Sequence, residues 1–333
     1  MEAPAPLRVL IVQAVRHGSG QVSPWVQRQV RALAEMGVET ETYVFSDRRS
    51  LRGIVTGGKG LREAAKAFGA DLVHVHYGAL QAALAVAFSP VPVAVSYCGS
   101  DLMGNYSETG TPTLSGRLSV LLSRLAATRA ARTLAKSEGL RQRLWGARAR
   151  RECEVIPNGV DLSVFRPIPQ AEARAALGWD PSEPVVLYMH RSGAWVKDPD
   201  LAHEAFEIAQ REVPDLRLHL VESVPADDMP LYLSAADVLL LTSRHEGSSN
   251  IIKEAMACAL PVVTTDVGDA RERLANVSPG AVVEGRDPAD LAREVVRVIR
   301  QRQRSSGPVA VAELEDGRVA ERVREFYLHA LDR

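Results

Sequence analysis

The sequence predicts an α/β protein of two doubly wound, Rossmann-like domains whose parallel sheets face a cleft between them. Three observations predict it. Apolar strand-like runs alternate with amphipathic helical stretches almost throughout, which is the pattern of βαβ units. The alternation lapses once, around residues 156–169, and then starts afresh. A chain of 333 residues is too long for one ordinary domain and long enough for two. Right-handed crossovers in such units place ligand sites at the carboxyl ends of the strands.

Leu7-Arg8-Val9-Leu10-Ile11-Val12 is short, contains an arginine and reads as a buried parallel strand rather than a signal peptide. Strands are expected at 7–13, 40–45, 71–76, 92–97 and 153–156, with helices at 24–36, 61–68, 79–88 and 114–127. Ile156-Pro157-Asn158-Gly159-Val160-Asp161 supplies a turn, and Phe165-Arg166-Pro167-Ile168-Pro169 an extended linker. A second series of strands follows at 185–190, 216–221, 237–242, 261–265 and 281–284. Its helices are expected at 199–211, 249–259 and 288–301. The predicted domains are therefore 1–160 and 161–310; the resemblance given below makes the first the acceptor side and the second the donor side. A terminal helical stretch, 311–333, is expected to pack back on the first domain.

Hydrophobic residues make up 46% and charged residues 24% of the chain, with a net charge of −1. Bulk charge thus points to neither a nucleic-acid binder nor a membrane binder. The three cysteines, Cys98, Cys153 and Cys258, have neither disulfide-framework nor metal-ligand spacing and read as free thiols in a reducing compartment. No apolar run approaches the ~18–20 residues of a membrane span, and a cytoplasmic protein is expected. The segment 117–151 is locally basic, with Arg117, Arg124, Arg129, Arg132, Lys136, Arg141, Arg143, Arg148, Arg150 and Arg151 against Glu138 alone. It reads either as a solvated electropositive surface or as a peripheral contact with anionic lipid or an anionic acceptor.

The strongest chemical signal is His245-Glu246-Gly247-Ser248-Ser249-Asn250-Ile251-Ile252-Lys253-Glu254-Ala255-Met256-Ala257-Cys258. It follows the strand-like Val238-Leu239-Leu240-Leu241 and precedes Leu260-Pro261-Val262-Val263. A strand ends, a small polar loop follows and a helix begins, so free N–H groups and a positive dipole end face the top of the sheet. Such a place suits phosphate or sugar hydroxyls. The Gly-Ser-Ser loop puts Glu246 in the loop and Glu254 on the helix about a turn inside.

This stretch, with Val262-Val263-Thr264-Thr265-Asp266-Val267-Gly268 after it, resembles the group-1 (family 4) retaining glycosyltransferases, whose signature is Glu-x7-Glu. Asp71-Leu72-Val73-His74-Val75-His76, Val155-Ile156-Pro157-Asn158-Gly159-Val160-Asp161, and Leu187-Tyr188-Met189-His190-Arg191 with Lys197-Asp198 resemble three further family motifs, in order. The resemblance implies a GT-B fold and retaining, metal-independent transfer from a nucleotide-diphosphate sugar, which is a co-substrate rather than a cofactor. Arg191 and Lys197 match the pair on the donor diphosphate, where two fixed cations stabilise the leaving group. Glu246 matches the residue nearest the donor sugar and Glu254 the one on the ribose hydroxyls. Ser248, Ser249, Asn250 and Ile251 match the loop that meets sugar and phosphate. Gly18 and Gly20 match a loop that closes over the donor phosphates.

Two departures stand out. In Ser96-Tyr97-Cys98-Gly99-Ser100-Asp101, Cys98 occupies the position of the family's histidine, which leaves His76, Cys98 and Asp101 as acceptor-side candidates. Between Val221 and Met229 the chain turns almost directly into a helix, where family members have an additional strand–helix unit. Two rival classes remain open. A Rossmann oxidoreductase lacks its full glycine fingerprint here, since Gly18-Ser19-Gly20 stands alone. A nucleotide- or sugar-binding protein on a degenerate transferase scaffold is set against the intact Arg191, Lys197, Glu246 and Glu254.

Overall fold

The computed structural model describes residues 6–13, 23–45, 50–189, 195–222 and 224–332. The chain divides into two units. Unit 1 takes the N-terminal residues to Asn105, Pro112–Gly159 and Asp316 to the C-terminus, and unit 2 takes Tyr106–Thr111 and Val160–Glu315. The C-terminal helix is thus part of the unit formed by the N-terminal half.

Unit 1 runs β1 (Leu7–Gln13), α1 (Pro24–Glu35), β2 (Val38–Val44), α2 (Leu51–Phe68), β3 (Leu72–His76), α3 (Ala79–Phe88), β4 (Val93–Tyr97), α4 (Ser100–Met103), α5 (Leu114–Ala127), β5 (Arg132–Ala135), α6 (Glu138–Arg141), α7 (Gly146–Arg151) and β6 (Cys153–Val155). Its strands form one parallel sheet in the order β2-β1-β3-β4-β5-β6. Side chains alternate between two buried faces, as a parallel sheet requires. Leu10, Val12, Val73, Val75 and Val95 pack in one apolar cluster. Val9, Ile11, Leu72, Ala94 and Leu134 pack in the other, beneath α1 and the C-terminal helix.

Unit 2 runs α8 (Gln170–Leu177), β7 (Val185–Met189), α9 (Pro199–Glu212), β8 (Arg217–Val221), α10 (Met229–Ala235), β9 (Val238–Leu241), α11 (Asn250–Ala257), β10 (Val262–Thr265), α12 (Ala270–Leu274), β11 (Ala281–Val283), α13 (Pro288–Gln301) and α14 (Gly307–Val311). The final helix, α15 (Asp316–Leu331), returns to unit 1. The unit 2 sheet is also parallel, in the order β11-β10-β9-β7-β8. Counted from its own first strand this is the same 2-1-3-4-5 order that opens the unit 1 sheet. Each sheet therefore has a switch point, between β1 and β3 in unit 1 and between β7 and β9 in unit 2. Ligands of doubly wound folds bind outside the carboxyl ends of the strands at such points.

Helix α2 and strand β5 are among the elements that differ from the sequence expectation. The helix expected at 61–68 begins ten residues earlier, with Ser50 capping it through a 2.9 Å bond from the Gly53 amide. Gly57, Gly58 and Gly60, poor helix formers by propensity, are contact points. A β-carbon at Gly57 would meet the Phe45 ring at 2.9 Å, and one at Gly58 the Phe88 ring at 2.6 Å. Small residues let the helix lie against its neighbours, and packing offsets their poor helix propensity. Strand β5 was not expected either. Arg132-Thr133-Leu134-Ala135 is too short to show a period, and its place is fixed by pairing with β4 and β6.

Candidate functional site

At the unit 2 switch point, the chain leaving β7 turns through a 3-10 turn, Trp195–Lys197, into α9. The Lys197 carbonyl accepts from the Tyr188 hydroxyl and from Thr242 Oγ1, both at 2.9 Å. The backbone of this lysine is therefore pinned between β7 and the end of β9. Asp198 follows in a left-handed conformation, φ 51°. Its buried carboxylate takes Arg244 at 2.8 Å and also Arg286. Arg286 donates in addition to the carbonyls of Ser243, at 3.0 Å, and Thr242, at 2.7 Å. A buried carboxylate holding two guanidiniums ties both strand-end loops to one point, since breaking any member leaves a charge uncompensated.

On that platform Lys197 Nζ meets Glu246 Oε1 at 2.5 Å, and Ser243 Oγ donates to the same oxygen at 2.9 Å. Both side chains keep partial exposure, 27% and 18%, so the pair borders solvent. Glu246 lies in the loop after β9, as expected. Glu254 is the fifth residue of α11, about a turn inside, and partly exposed. Ser248 donates to the Asp269 carboxylate at 2.9 Å and receives the buried Lys253 ammonium at 3.2 Å. Ser249, Asn250 and Ile251 bring in the first turn of α11, whose N-cap residue, Ser249, makes no side-chain cap bond. Behind the loop stands Gly268, φ 61°, where an added β-carbon would approach the carbonyls of Gly247 at 3.1 Å and Glu246 at 3.2 Å. Beside it, Tyr106 stacks on Trp195 at 5.0 Å, and the Arg244 guanidinium sits 4.6 Å from the indole centre.

The structure brings Lys197, Glu246, Ser248, Ser249, Asn250, Ile251 and Glu254 to one edge of one sheet. Arg191, Gly18 and Gly20 lie outside the described residues. Sequence reasoning missed Arg244, Arg286 and Asp269. Arg286 comes from beyond β11, more than forty residues from the loop it holds, and carries no local signal.

In unit 1 the acceptor-side candidates stand at the carboxyl edge. Asp101 is fully buried and accepts backbone N–H groups from Gly78 (2.9 Å), Gly99 (2.8 Å) and Cys98 (3.0 Å). Burial raises its pKa while these bonds pull it back. It clamps the loops after β3 and β4 from behind. Cys98 is partly buried, and burial first, then Asp101, push its thiol up to about 12. It is a neutral group and no nucleophile at pH 7. His76 is 3% exposed, and its ring lies 5.3 Å from Trp25 and 4.1 Å from His74. Burial holds the pKa of His76 well below the ordinary range. The fully buried His74, lowered to about 3 by burial and Lys136, bonds Tyr327 at 2.6 Å and Ser96 at 2.7 Å.

Among the described residues no helix is long and apolar enough to cross a membrane. No group of three or more His, Cys, Asp or Glu side chains is placed to hold a metal ion, again among the described residues.

Residues 18–164 match the family described as Glycosyltransferase Family 4, and residues 197–301 match Glycosyl transferases group 1. The chain is 30% identical over 190 residues to a D-inositol 3-phosphate glycosyltransferase of Segniliparus rotundus, an alignment covering 48% of this chain and 42% of that protein. Against the enzyme of the same name from Thermobispora bispora it is 27% identical over 218 residues, covering 54% and 51%. The matched stretch thus spans about half the length of these relatives or less. The fold is shared more widely. Sucrose-phosphate synthase from Thermosynechococcus elongatus superposes with a TM-score of 0.78 at 19% identity, covering 97% of this chain and 99% of that one. Anabaena HepE, solved in complex with UDP and glucose, gives 0.68 at 16% identity, covering 96% and 99%.

Proposed function

On the premise that the chain belongs to the group-1, family 4 glycosyltransferases and is an enzyme of GT-B fold, we propose that it moves a sugar from a nucleoside-diphosphate sugar to a hydroxyl acceptor. We propose further that transfer retains the anomeric configuration and needs no metal. The observation that carries this reading is the Lys197–Glu246 pair, held at the unit 2 switch point beside the first turn of α11. In this reading Lys197, with Arg191, stabilises the negative charge that grows on the departing diphosphate. The carboxylate of Glu246 holds the ammonium in place until substrate arrives, and faces the donor sugar. Glu254 holds the ribose hydroxyls. The acceptor attacks from the face the diphosphate leaves, and its proton passes to the departing phosphate oxygen. No side chain has to act as a strong base, so a neutral Cys98 is compatible with turnover.

Thermal denaturation with UDP, GDP, ADP and NAD tests the reading, because a ligand that binds only the native state stabilises it by mass action. A nucleoside diphosphate is expected to raise Tm, and a rise with NAD alone overturns the proposal. Release of nucleoside diphosphate from a panel of donor sugars, undiminished by EDTA, separates a transferase from a binding protein on the same scaffold.

One surface supports a peripheral contact of unit 1 with an anionic membrane. Leu114, Leu118, Leu121 and Leu125 are 82%, 54%, 42% and 38% exposed, and their spacing puts them in one stripe along α5. Trp145 is also exposed, under the Arg124 guanidinium. Arg117, Arg129 and Arg143 are exposed and have no carboxylate partner among the described residues. An apolar stripe flanked by cations suits an anionic bilayer surface, at about 1 kcal/mol per arginine plus the buried apolar area. Co-sedimentation with phosphatidylglycerol vesicles is expected for the wild type. It is expected to be lost in Leu118→Ser/Leu121→Ser and absent with phosphatidylcholine alone. Equal binding by wild type and double variant rules the surface out.

A further inference from the structure

Two charged side chains are buried behind the loop that follows β9. Lys253 on α11 is 0% exposed, and Asp269, just before α12, is 3% exposed. Both meet the same atom, Ser248 Oγ, the ammonium at 3.2 Å and the carboxylate at 2.9 Å. Arg273 continues the line, donating from Nε to Asp269 at 3.0 Å and from Nη1 to Glu313 at 3.2 Å. Cations and carboxylates thus alternate along it, and each buried charge meets a polar partner, as its removal from water requires.

The chemistry of the three central groups fixes which way the protons point. A lysine ammonium only donates and a carboxylate only accepts. The Ser248 hydroxyl therefore accepts from Lys253 and gives its one proton to Asp269. It has no proton left for a diphosphate oxygen, which is itself an acceptor. A second observation puts the same segment against the loop backbone. Gly268 has left-handed backbone, φ 61°, and a β-carbon there would lie 3.1 Å from the Gly247 carbonyl oxygen and 3.2 Å from that of Glu246. Residues 268 and 269 thus hold the loop twice, by close backbone approach and by the carboxylate on Ser248. Lys253 and Glu254 are consecutive on α11, about 100° apart around its axis. Seating the lysine in the core therefore also sets the direction of the partly exposed glutamate.

We propose, on the transferase reading above, that Lys253 and Asp269 are positioning residues for the donor. They grip the Ser248 hydroxyl from both sides and set the loop 246–251 before the nucleotide sugar arrives. Ser248 serves the donor through where it holds its backbone, not as a hydroxyl donor. Ordering a loop in advance lowers the cost of binding, so the grip acts on donor affinity more than on the bond-breaking step.

A double-mutant cycle of Ser248→Ala and Asp269→Ala tests this. Lys253→Met, which keeps the aliphatic stem, replaces Asp269→Ala in the cycle if that variant does not fold. Donor KM and kcat are read from nucleoside diphosphate release, and the nucleotide-induced Tm shift takes the place of KM where turnover is absent. Amide hydrogen exchange of residues 247–251 is read in the ligand-free proteins. Each single variant is expected to raise donor KM about tenfold with kcat within about threefold of wild type, the pattern of lost uniform binding. Each is also expected to speed exchange across the loop. The double variant is expected to be no worse than Ser248→Ala, because Asp269 acts through the serine. An effect of Ser248→Ala with none from Asp269→Ala makes the hydroxyl a direct donor contact and overturns the proposal. A silent Ser248→Ala, additive effects in the double variant, or loop exchange unchanged from wild type also overturn it. A wild type that releases no nucleoside diphosphate from any donor and gains no Tm from UDP, GDP or ADP refutes the transferase reading instead. Exchange in the ligand-free variants still decides the grip in that case.

Discussion

Lys197 and Glu246 were singled out by their motifs, but the residues that hold them in place were not. The Lys197 carbonyl is held by Tyr188 and Thr242, and the loop that carries Glu246 is anchored through Arg286. Lys197→Ala is expected to lower turnover by about 10²–10³, the usual loss when one transition-state donor is removed, with Tm little changed because the pair is partly exposed. Single-turnover release of nucleoside diphosphate checks this. At the opposite extreme of burial, His74 is neutral in the fold down to about pH 3, against 6.5 when unfolded. Below pH 6.5 the unfolded chain takes up the proton that the folded chain refuses. Stability present above pH 6.5 is therefore lost as pH falls, by about 2 kcal/mol at pH 5 from this residue alone. His76 acts in the same direction. Melting between pH 7 and 5 should show the decline, and His74→Asn should flatten it; an unchanged slope excludes His74 as its source.

Elements were legible to different degrees for identifiable reasons. Long segments with a clear period, such as α13 with Leu291, Ala292, Val295, Val296 and Ile299 on its buried side, declare themselves. The start of α2 was hidden because Gly57 and Gly58 are chosen for contact with Phe45 and Phe88, which lie far along the chain. Strand β5 was hidden because four residues carry no period. Gly268 belongs to the same class of information. A Gly268→Ala variant places a β-carbon in left-handed backbone, which costs about 1–2 kcal/mol. It also pushes on the carbonyls of Glu246 and Gly247. Tm is expected to fall by a few degrees and transfer to fall further than stability explains, because the loop that moves carries Glu246. Transfer unchanged from wild type would show that the loop absorbs the contact elsewhere.

For the molecule as a whole, the last helix is the decisive case. Val319, Val323, Phe326, Tyr327 and Ala330 of α15 complete the apolar cluster beneath β1, β3, β4 and β5, and Tyr327 is the partner of His74. A chain ending at Glu315 exposes that cluster and leaves His74 half-bonded. It is expected to lose the cooperative melting of unit 1 and to aggregate, as read by calorimetry and light scattering. A soluble truncation that melts like the full chain would contradict the assignment of α15 to unit 1.

The sequence by itself determined the fold class, the two-unit organisation and the placement of Glu246 in a strand-end loop with Glu254 on the helix after it. Alternation, one break in it and one motif are local properties, and local properties survive in one dimension. Tertiary structure alone decided that Arg286 and Asp198 fix the loops after β7 and β9. It also decided that Asp101 serves as a backbone clamp and that the leucines of α5 stay uncovered. Each of these depends on burial or on partners distant in the chain.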